Sequence, residues 1–148
     1  MRQTIESVLA GKSVAVAGVS RRPRGFGRQL YIALRQRGYT TYAINPHAES
    51  IGGDPCYASP RMLPRPVDWL LAVTPRSATA QVVREAAQAG ITRVWMQPGS
   101  ECPEAIQAAR EAGMVTVTRA CLFLHLEPVT WPHSWHRALA KVFGRLYR

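Results

Sequence analysis

Residues 14–28 read VAVAGVSRRPRGFGR, and this stretch decides the fold. Its opening run is small and apolar, which is typical of a strand buried on both faces of a parallel sheet. Gly18, Gly25 and Gly27 follow among four arginines, and a helical pattern begins near Phe26. Strand, glycine-rich turn and helix in this order bring accessible backbone amides and the positive end of a helix dipole to one point. The stretch therefore predicts a site for a diphosphate, whose oxygens the arginines suit.

Apolar stretches of strand length alternate with helical patterns along the rest of the chain. We predict strands at 14–19, 40–45, 68–74, 92–97 and 114–118, and helices at 26–38, 76–90 and 103–113. Glycine is predicted to end each helix, and Ser77 or Thr79 to cap the second one. The proline-rich residues 46–66 are predicted to form a loop with one short strand at most. This β-α-β alternation predicts a single-domain α/β protein with a doubly wound parallel sheet and right-handed crossovers.

The composition is that of a globular domain, with 47% hydrophobic and 19% charged residues in a chain of 148. Glu6 and Lys12 interrupt the N-terminal segment, which therefore lacks the layout of a signal peptide, and we expect a cytoplasmic protein. Cys56, Cys102 and Cys121 are widely spaced, so we expect free thiols and neither disulfides nor a zinc site. The four histidines form no metal-ligand pattern, and no catalytic residue is predicted.

The chain is strongly basic, with a net charge of +10 and a pI near 10.6. Such a charge suggests a polyanionic partner, which could be nucleic acid, an anionic surface or a phosphorylated ligand. The alternative is that arginine-rich usage reflects genome composition. The local cluster at Arg21, Arg22, Arg24 and Arg28 favours the first explanation.

The C-terminal residues break the alternation. We predict a domain at 1–122 and a basic amphipathic tail at 123–148 that packs on the same domain, with a helix from about Ser134. The predicted helix carries an apolar stripe and a basic face. The stripe could instead contact a second subunit in a homodimer, and the basic face an anionic surface or nucleic acid. Its apolar members are Trp135, Leu139, Val142 and Leu146.

Ligands of open parallel sheets bind beyond the carboxyl ends of the strands, where this sequence places glycine, proline and small polar residues. The spacing of the glycines is neither Gly-x-Gly-x-x-Gly nor that of a P-loop. The second strand ends in Asn45-Pro46, where a dinucleotide site would have an acidic residue for the ribose. Ordinary NAD binding is therefore disfavoured, and a plain tight turn remains the alternative for the glycines.

Several motifs recur in a familiar order at these strand ends. The segments GVSRRPRGFG, YAINP with the following IGG, VDWLLAVTP, VWMQPGS and the late Cys121 resemble the CoA-binding domain family. Its stand-alone members are relatives of the N-terminal domain of the succinyl-CoA synthetase alpha subunit. The resemblance covers about residues 8–122 and implies a Rossmann-like domain that binds coenzyme A.

The resemblance also implies positions for the parts of the ligand. It places the diphosphate near Gly18, Ser20, Arg24 and Gly27, and a further loop contact at Asn45-Pro46. It places the adenine side at Val73, Thr74 and Pro75, and a turn contact at Gln97 and Gly99. The synthetases often have a lysine after the second strand, whereas this chain has His47, so Arg21, Arg22 or Arg76 is expected to bind the 3′-phosphate.

Ligase activity is not expected, because the synthetase's second domain with its phosphorylated histidine has no counterpart in this sequence. We therefore expect a protein that binds free or acylated coenzyme A and is not catalytic on its own. A basic nucleic-acid-binding protein and a nucleotide-dependent enzyme subunit are the alternatives. Cys121 is expected to be an inert buried thiol, with a mixed disulfide to coenzyme A as the alternative, and a bulky residue at Gly27 is expected to block the ligand without unfolding the chain.

Overall fold

The computed structural model describes residues 1–127, and the predicted C-terminal helix with its apolar stripe lies outside them. The described part contains four α-helices and seven strands. The helices are α1 (Arg2–Leu9), α2 (Phe26–Gln36), α3 (Arg76–Gln88) and α4 (Pro103–Glu111). The strands are β1 (Ser13–Ala17), β2 (Thr40–Ile44), β3 (Ser50–Ile51), β4 (Asp54–Tyr57), β5 (Trp69–Ala72), β6 (Arg93–Met96) and β7 (Val115–Val117). Two short 3₁₀ helices cover Pro60–Met62 and Leu122–Leu124.

The seven strands form one sheet in the order β3-β4-β2-β1-β5-β6-β7. Every pair is parallel except β3 with β4. The chain builds the sheet outward from β1 through β2 to β4, then returns to the other side of β1 and continues from β5 to β7. The predicted doubly wound parallel sheet is confirmed. Its winding direction reverses between β1 and β5, which is the point where ligands bind in such sheets.

Each central strand is buried on both faces, and the two faces differ in side-chain size. Val14 and Val16 point, with Trp69 and Leu71 of β5, into a core that α1 and α2 cover. The alternate residues of the same strands, such as Ala15 and Ala17, contribute to a second core against α3 and α4. The first strand is therefore almost entirely apolar because both of its faces are buried, as the sequence predicts.

Two buried tryptophans connect the sheet to the segments beside it. The indole Nε1–H of Trp69 donates to the Gly11 carbonyl at 3.0 Å, and that of Trp95 donates to the Ala120 carbonyl at 2.9 Å. Both side chains are fully buried, and their rings lie 6.5 Å apart. Trp95 thus fixes the backbone just after β7, where the chain turns toward the carboxyl edge of the sheet.

The predicted loop over 46–66 is wrong in part, because it contains a β-hairpin. Strands β3 and β4 pair through a turn at Gly52 and Gly53, whose φ angles are +57° and +84°. Positive φ at both central residues of a two-residue turn matches the twist of a hairpin and favours glycine. Helix α1 was also missing from the prediction, although Ile5 and Val8 bury one face of it.

The predicted glycine stops of the helices are confirmed, whereas the predicted N-terminal cap of α3 is wrong. Gly38, Gly90 and Gly113 follow α2, α3 and α4 with positive φ, as predicted. The predicted capping by Ser77 or Thr79 is wrong: Pro75 precedes α3, and no side chain caps its first turn. No helix within residues 1–127 is long and apolar enough to cross a membrane.

The replacement Trp95→Phe should destabilise the fold by about 2 to 4 kcal/mol, because it leaves the buried Ala120 carbonyl without a donor and removes core volume. Urea denaturation followed by circular dichroism measures this change. The exposed β7 residue Val115 provides a control, and Val115→Ala should cost less than about 1 kcal/mol. Equal losses from the two variants would contradict the role given to the Trp95–Ala120 hydrogen bond.

Candidate functional site

The carboxyl ends of the central strands meet at one edge of the sheet, which we call the carboxyl edge. Backbone hydrogen bonds hold the first residues beyond these strands together. The Gly18 amide donates to Ile44 at 3.1 Å, the Val73 amide to Ala17 at 2.9 Å, and the Gln97 amide to Ala72 at 3.0 Å. The turns predicted to hold the ligand therefore lie side by side.

Gly18 and Gly27 allow three backbone segments to touch at this edge. Gly18 has φ of +91°, and a Cβ there would clash with the Val73 carbonyl. A Cβ on Gly27, in the first turn of α2, would clash with the Gly18 carbonyl. The two glycines are thus required for the contact between the β1–α2 turn, helix α2 and the β5–α3 turn.

The first turn of α2 presents backbone amides that are free to bind an anion. Gly25 precedes the helix, and its carbonyl accepts only the amide of Gln29. Among the described residues, the amides of Phe26, Gly27 and Arg28 have no acceptor, and no acidic side chain lies in this turn. We call these three N–H groups the amide cluster. They carry the positive end of the helix dipole, which favours a negatively charged group.

Ser20 shapes the turn that leads to the amide cluster. Its Oγ accepts a hydrogen bond from the Arg22 amide at 3.0 Å, and the Arg22 carbonyl accepts one from the Gly25 amide at 3.0 Å. The Ser20 hydroxyl proton takes part in no hydrogen bond within residues 1–127. Ser20 can therefore hold the turn and donate to a ligand at the same time.

Three of the four arginines beside this turn are available to a ligand. Arg21, Arg22 and Arg24 are exposed, and within the described residues none forms an ion pair with a carboxylate. Arg28 differs, since its Nη1 donates to the Arg21 carbonyl at 2.9 Å and its guanidinium lies against Gly52 of the hairpin. Arg28 thus braces the turn, and the exposed three supply the free positive charge.

Asn45 links the end of β2 to the same turn. Its Nδ2 donates to the Val19 carbonyl at 2.9 Å, and its Oδ1 accepts the His47 amide at 2.8 Å across Pro46. The Cys56 thiol donates to the Asn45 carbonyl, and burial raises the pKa of this thiol. The Asn45 side chain therefore holds the β1–α2 turn in place, while the exposed Pro46 and His47 face solvent beside it.

The hydroxyl of Thr74 is engaged within the protein. Thr79 Oγ1 donates to the Pro75 carbonyl at 3.1 Å, so its proton is used there. The Thr74 hydroxyl, which lies 2.7 Å from Thr79 Oγ1, must then be the donor of that pair. Thr74 and Thr79 are buried and connect the β5–α3 turn to helix α3. The half-buried Val73 and the exposed Pro75 are left to contact a ligand by surface packing.

Gln97 holds the segment that follows β7. Its buried side chain accepts the Leu122 amide at Oε1, at 2.8 Å, and donates through Nε2 to the Cys121 sulfur at 3.5 Å. Cys121 is half-buried, so the predicted full burial of this thiol is wrong. Gly99 lies in the exposed turn after β6 with φ of +92° and open space around it. The Gln97 carboxamide is thus committed to the protein, and only the Gly99 turn is open.

Sequence reasoning missed one feature of this edge, a contact between Phe26 and Phe123. Their rings meet edge to face with centroids 5.7 Å apart, and both side chains are exposed. Phe123 lies in a segment that is positioned by Gln97 and Trp95, and both of these residues are far from it in the sequence. No local pattern reports such a contact, and only the exposed position of Phe26 at the helix start could have suggested it.

The nucleophilic side chains singled out at this edge form hydrogen bonds within the protein. Within residues 1–127 no three His, Cys, Asp or Glu side chains lie close enough together to hold a metal ion. Ser20 accepts from the Arg22 amide, Thr74 contacts the Thr79 hydroxyl, and Cys121 contacts the Gln97 carboxamide. The arrangement is suited to binding through amides and guanidinium groups.

Because a Cβ on Gly27 meets backbone, Gly27→Ala should destabilise the fold by about 3 kcal/mol. The prediction that a bulky residue here would block the ligand and leave the stability of the fold unchanged is therefore wrong. Gly38→Ala provides the control: its φ is positive but nothing lies within 4 Å, so it should cost about 1 kcal/mol. Urea denaturation compares the two, and similar costs would show that the α2 contact can relax.

Comparisons with known proteins identify relatives of this chain in sequence and in fold. The chain is 28% identical over 128 residues, 80% of its length, to acetate–CoA ligase [ADP-forming] I of Archaeoglobus fulgidus. A conserved hypothetical protein from Pyrococcus furiosus superposes with a TM-score of 0.73 at 31% identity, over 78% of this chain and 99% of that one. The acetyl-coenzyme A synthetase 1 of Ca. Korarchaeum cryptofilum superposes with a TM-score of 0.62 at 25% identity, over 70% of this chain.

The chain matches only a small part of the Archaeoglobus ligase and of the Korarchaeum synthetase. It covers 19% of the length of the Archaeoglobus ligase and 25% of the Korarchaeum synthetase chain, whereas it matches nearly all of the Pyrococcus protein. A family model described as the CoA binding domain matches residues 12–127, which include every element from β1 to the second 3₁₀ helix. The chain therefore belongs to the CoA-binding domain family.

Proposed function

We propose that this protein binds coenzyme A, free or acylated, and is not catalytic on its own. The diphosphate lies against the amide cluster, between Gly18, Ser20 and Gly27. The observation that carries the proposal is the set of three amides without acceptors at the switch point of the sheet, beside three exposed arginines. Amides and guanidinium groups are the donors that phosphate oxygens prefer.

Arg21 and Arg24 supply the charge for the phosphates in this proposal. A diphosphate bound only by amides keeps most of its negative charge, so guanidinium groups close to it add charge-assisted hydrogen bonds. The 3′-phosphate of coenzyme A needs a further cation. Arg22 and Arg76 are exposed and flank the same edge, and with Arg21 they remain the candidates for that contact.

The rest of the ligand lies along the carboxyl edge. Val73 and Pro75 offer packing surface for the adenine side, with Thr74 holding the turn behind them. Pro46 and the turn at Gly99 offer exposed backbone, while Asn45 and Gln97 position these turns from within. The name of the Archaeoglobus relative, an acetate–CoA ligase, supports coenzyme A as the ligand.

The non-catalytic part of the proposal is supported by the hydrogen bonds that Ser20, Thr74 and Cys121 make within the protein. A carrier, a coenzyme A-dependent regulator or a subunit of a nucleotide-dependent enzyme fits this arrangement. We also propose a cytoplasmic location, where coenzyme A and reduced thiols are found together.

Nucleic-acid binding is the second candidate, and the net charge of +10 favours it. Titration calorimetry with coenzyme A, NAD and duplex DNA at ~150 mM salt separates the two. We expect heat from coenzyme A and none from NAD. Tight DNA binding that weakens steeply with added salt, together with no heat from coenzyme A, would reverse the ranking.

The double replacement Arg21→Ala with Arg24→Ala should weaken coenzyme A binding about tenfold, because it removes charge-assisted contacts to phosphate. Calorimetry measures the dissociation constant of each variant. Arg110→Ala is the matched control, since Arg110 is an exposed arginine in the last turn of α4, at the opposite edge of the sheet. An equal loss in the control would mean that net charge, and not the site, governs binding.

A further inference from the structure

The side chain of Arg28 connects two turns that are distant in the sequence. Its Nη1 donates to the Arg21 carbonyl at 2.9 Å, in the turn between β1 and α2. Its Nη2 lies against Gly52 in the turn of the β3–β4 hairpin, where a Cβ would be only 2.6 Å away. Arg28 is half-buried, so its guanidinium has a defined place between the two turns, in contrast to the exposed arginines beside it.

The hairpin that meets Arg28 is itself fixed to α2. Oδ2 of Asp54, which follows the hairpin turn, accepts hydrogen bonds from Arg35 Nη2 at 2.6 Å and from the Tyr31 hydroxyl at 3.2 Å. Arg28, Tyr31 and Arg35 recur at helical spacing and therefore share one face of α2. This face contacts the hairpin both at Gly52 and at Asp54, so the hairpin turn cannot move freely relative to α2.

Arg28 and Ser20 hold opposite ends of one peptide group in the turn that leads to the amide cluster. The Arg21 carbonyl accepts a hydrogen bond, within residues 1–127, from Arg28 alone. The amide of the same peptide group, that of Arg22, donates to Ser20 Oγ at 3.0 Å. Rotation of this peptide group would break both hydrogen bonds. Arg28 therefore acts on Ser20, whose hydroxyl proton is available to a ligand, through a single peptide plane.

The charge of Arg28 opposes the dipole of its own helix. Arg28 lies in the first turn of α2, where the positive end of the dipole disfavours a cation. No acidic residue lies in that turn, and in the described part of the chain Arg28 forms no salt bridge. An anion bound at the amide cluster would compensate both the dipole and the guanidinium.

We propose that Arg28 is a positioning residue for the diphosphate, and that the hairpin turn at Gly52 keeps it in place. This inference rests on the proposed function. Arg28 fixes the peptide group between Arg21 and Arg22, and this peptide group orients the Ser20 hydroxyl toward the phosphates. A hydrogen bond to a charged donor corresponds to tenfold or more in a binding constant. Because Arg28 acts through another residue, its loss should weaken binding about fivefold to tenfold.

The first test compares coenzyme A with 3′-dephospho-coenzyme A, which has the same diphosphate and lacks the 3′-phosphate. Calorimetry on the full chain gives both dissociation constants. Arg28→Ala should weaken the two ligands by the same factor, because the part of the ligand that it affects is common to both. Arg110→Ala removes the same charge from the far end of α4 and should leave both affinities unchanged.

The second test uses the two glycines of the hairpin turn as a matched pair. Gly52→Ala and Gly53→Ala both place alanine at positive φ, +57° and +84°, so both should cost similar stability. Only the Cβ at Gly52 meets Arg28, whereas nothing lies within 4 Å of the one at Gly53. Gly52→Ala should therefore weaken coenzyme A severalfold, and Gly53→Ala should leave its affinity unchanged.

A double-mutant cycle links the two tests. Once Arg28 is alanine, Gly52→Ala has no guanidinium to displace and should cause no further loss of affinity. Thermal unfolding by circular dichroism checks that each variant is folded at the temperature of the titrations.

The outcomes separate this inference from the proposed function. If wild type binds neither coenzyme A nor its dephospho form, the proposed function fails and the inference fails with it. If Arg28→Ala weakens coenzyme A alone, Arg28 contacts the 3′-phosphate directly and its positioning role is overturned. The role is also overturned if Arg28→Ala changes neither affinity, if Arg110→Ala causes an equal loss, if the two glycine variants lose affinity equally, or if the losses from Arg28→Ala and Gly52→Ala add.

Discussion

Everything at the carboxyl edge depends on backbone approaching backbone where the sheet changes its winding direction. Gly18 meets the Val73 carbonyl, and Gly27 meets Gly18, so no side chain separates the first turn from its neighbours. This contact sets the distance between α2 and the sheet, and so the direction in which the first amides of α2 point. The same contact joins α2 to the β1–α2 turn and leaves no room for a Cβ at either glycine.

The proposed site combines donors that the fold fixes with charges on exposed side chains. The helix start supplies amides at fixed positions, whereas the exposed arginines on a turn can move to follow the ligand. Asn45, Thr74 and Gln97 follow three different strands, and all three commit polar groups to neighbouring backbone or side chains. These residues hold the turns, so the proposed site consists of main-chain groups and a few exposed side chains.

The sequence contained enough to predict the sheet, and less to predict the details of its edge. Val14 to Ala17 are buried on both faces, so their uniform apolar character reports the parallel sheet directly. The hairpin was missed because its strands are two and four residues long, too short for alternation to appear. The cap of α3 was predicted wrongly because the helix begins at Arg76 and Thr79 donates to the Pro75 carbonyl, a local hydrogen bond that its residue type also allows. The Phe26–Phe123 contact joins residues 97 apart and depends on the path after β7, which no local pattern encodes.

The hairpin of β3 and β4 has a consequence for the chain's behaviour at high concentration. Strand β3 runs against its neighbour and is only two residues long, so the outer side of the sheet there offers little hydrogen-bonding length to another molecule. Asp54, at the start of β4, accepts hydrogen bonds from Arg35 and Tyr31 of α2 and fastens the hairpin to the body of the domain. On the β3 side the sheet therefore ends in a short strand that is attached to the domain, and not in a long open strand that could pair with another molecule.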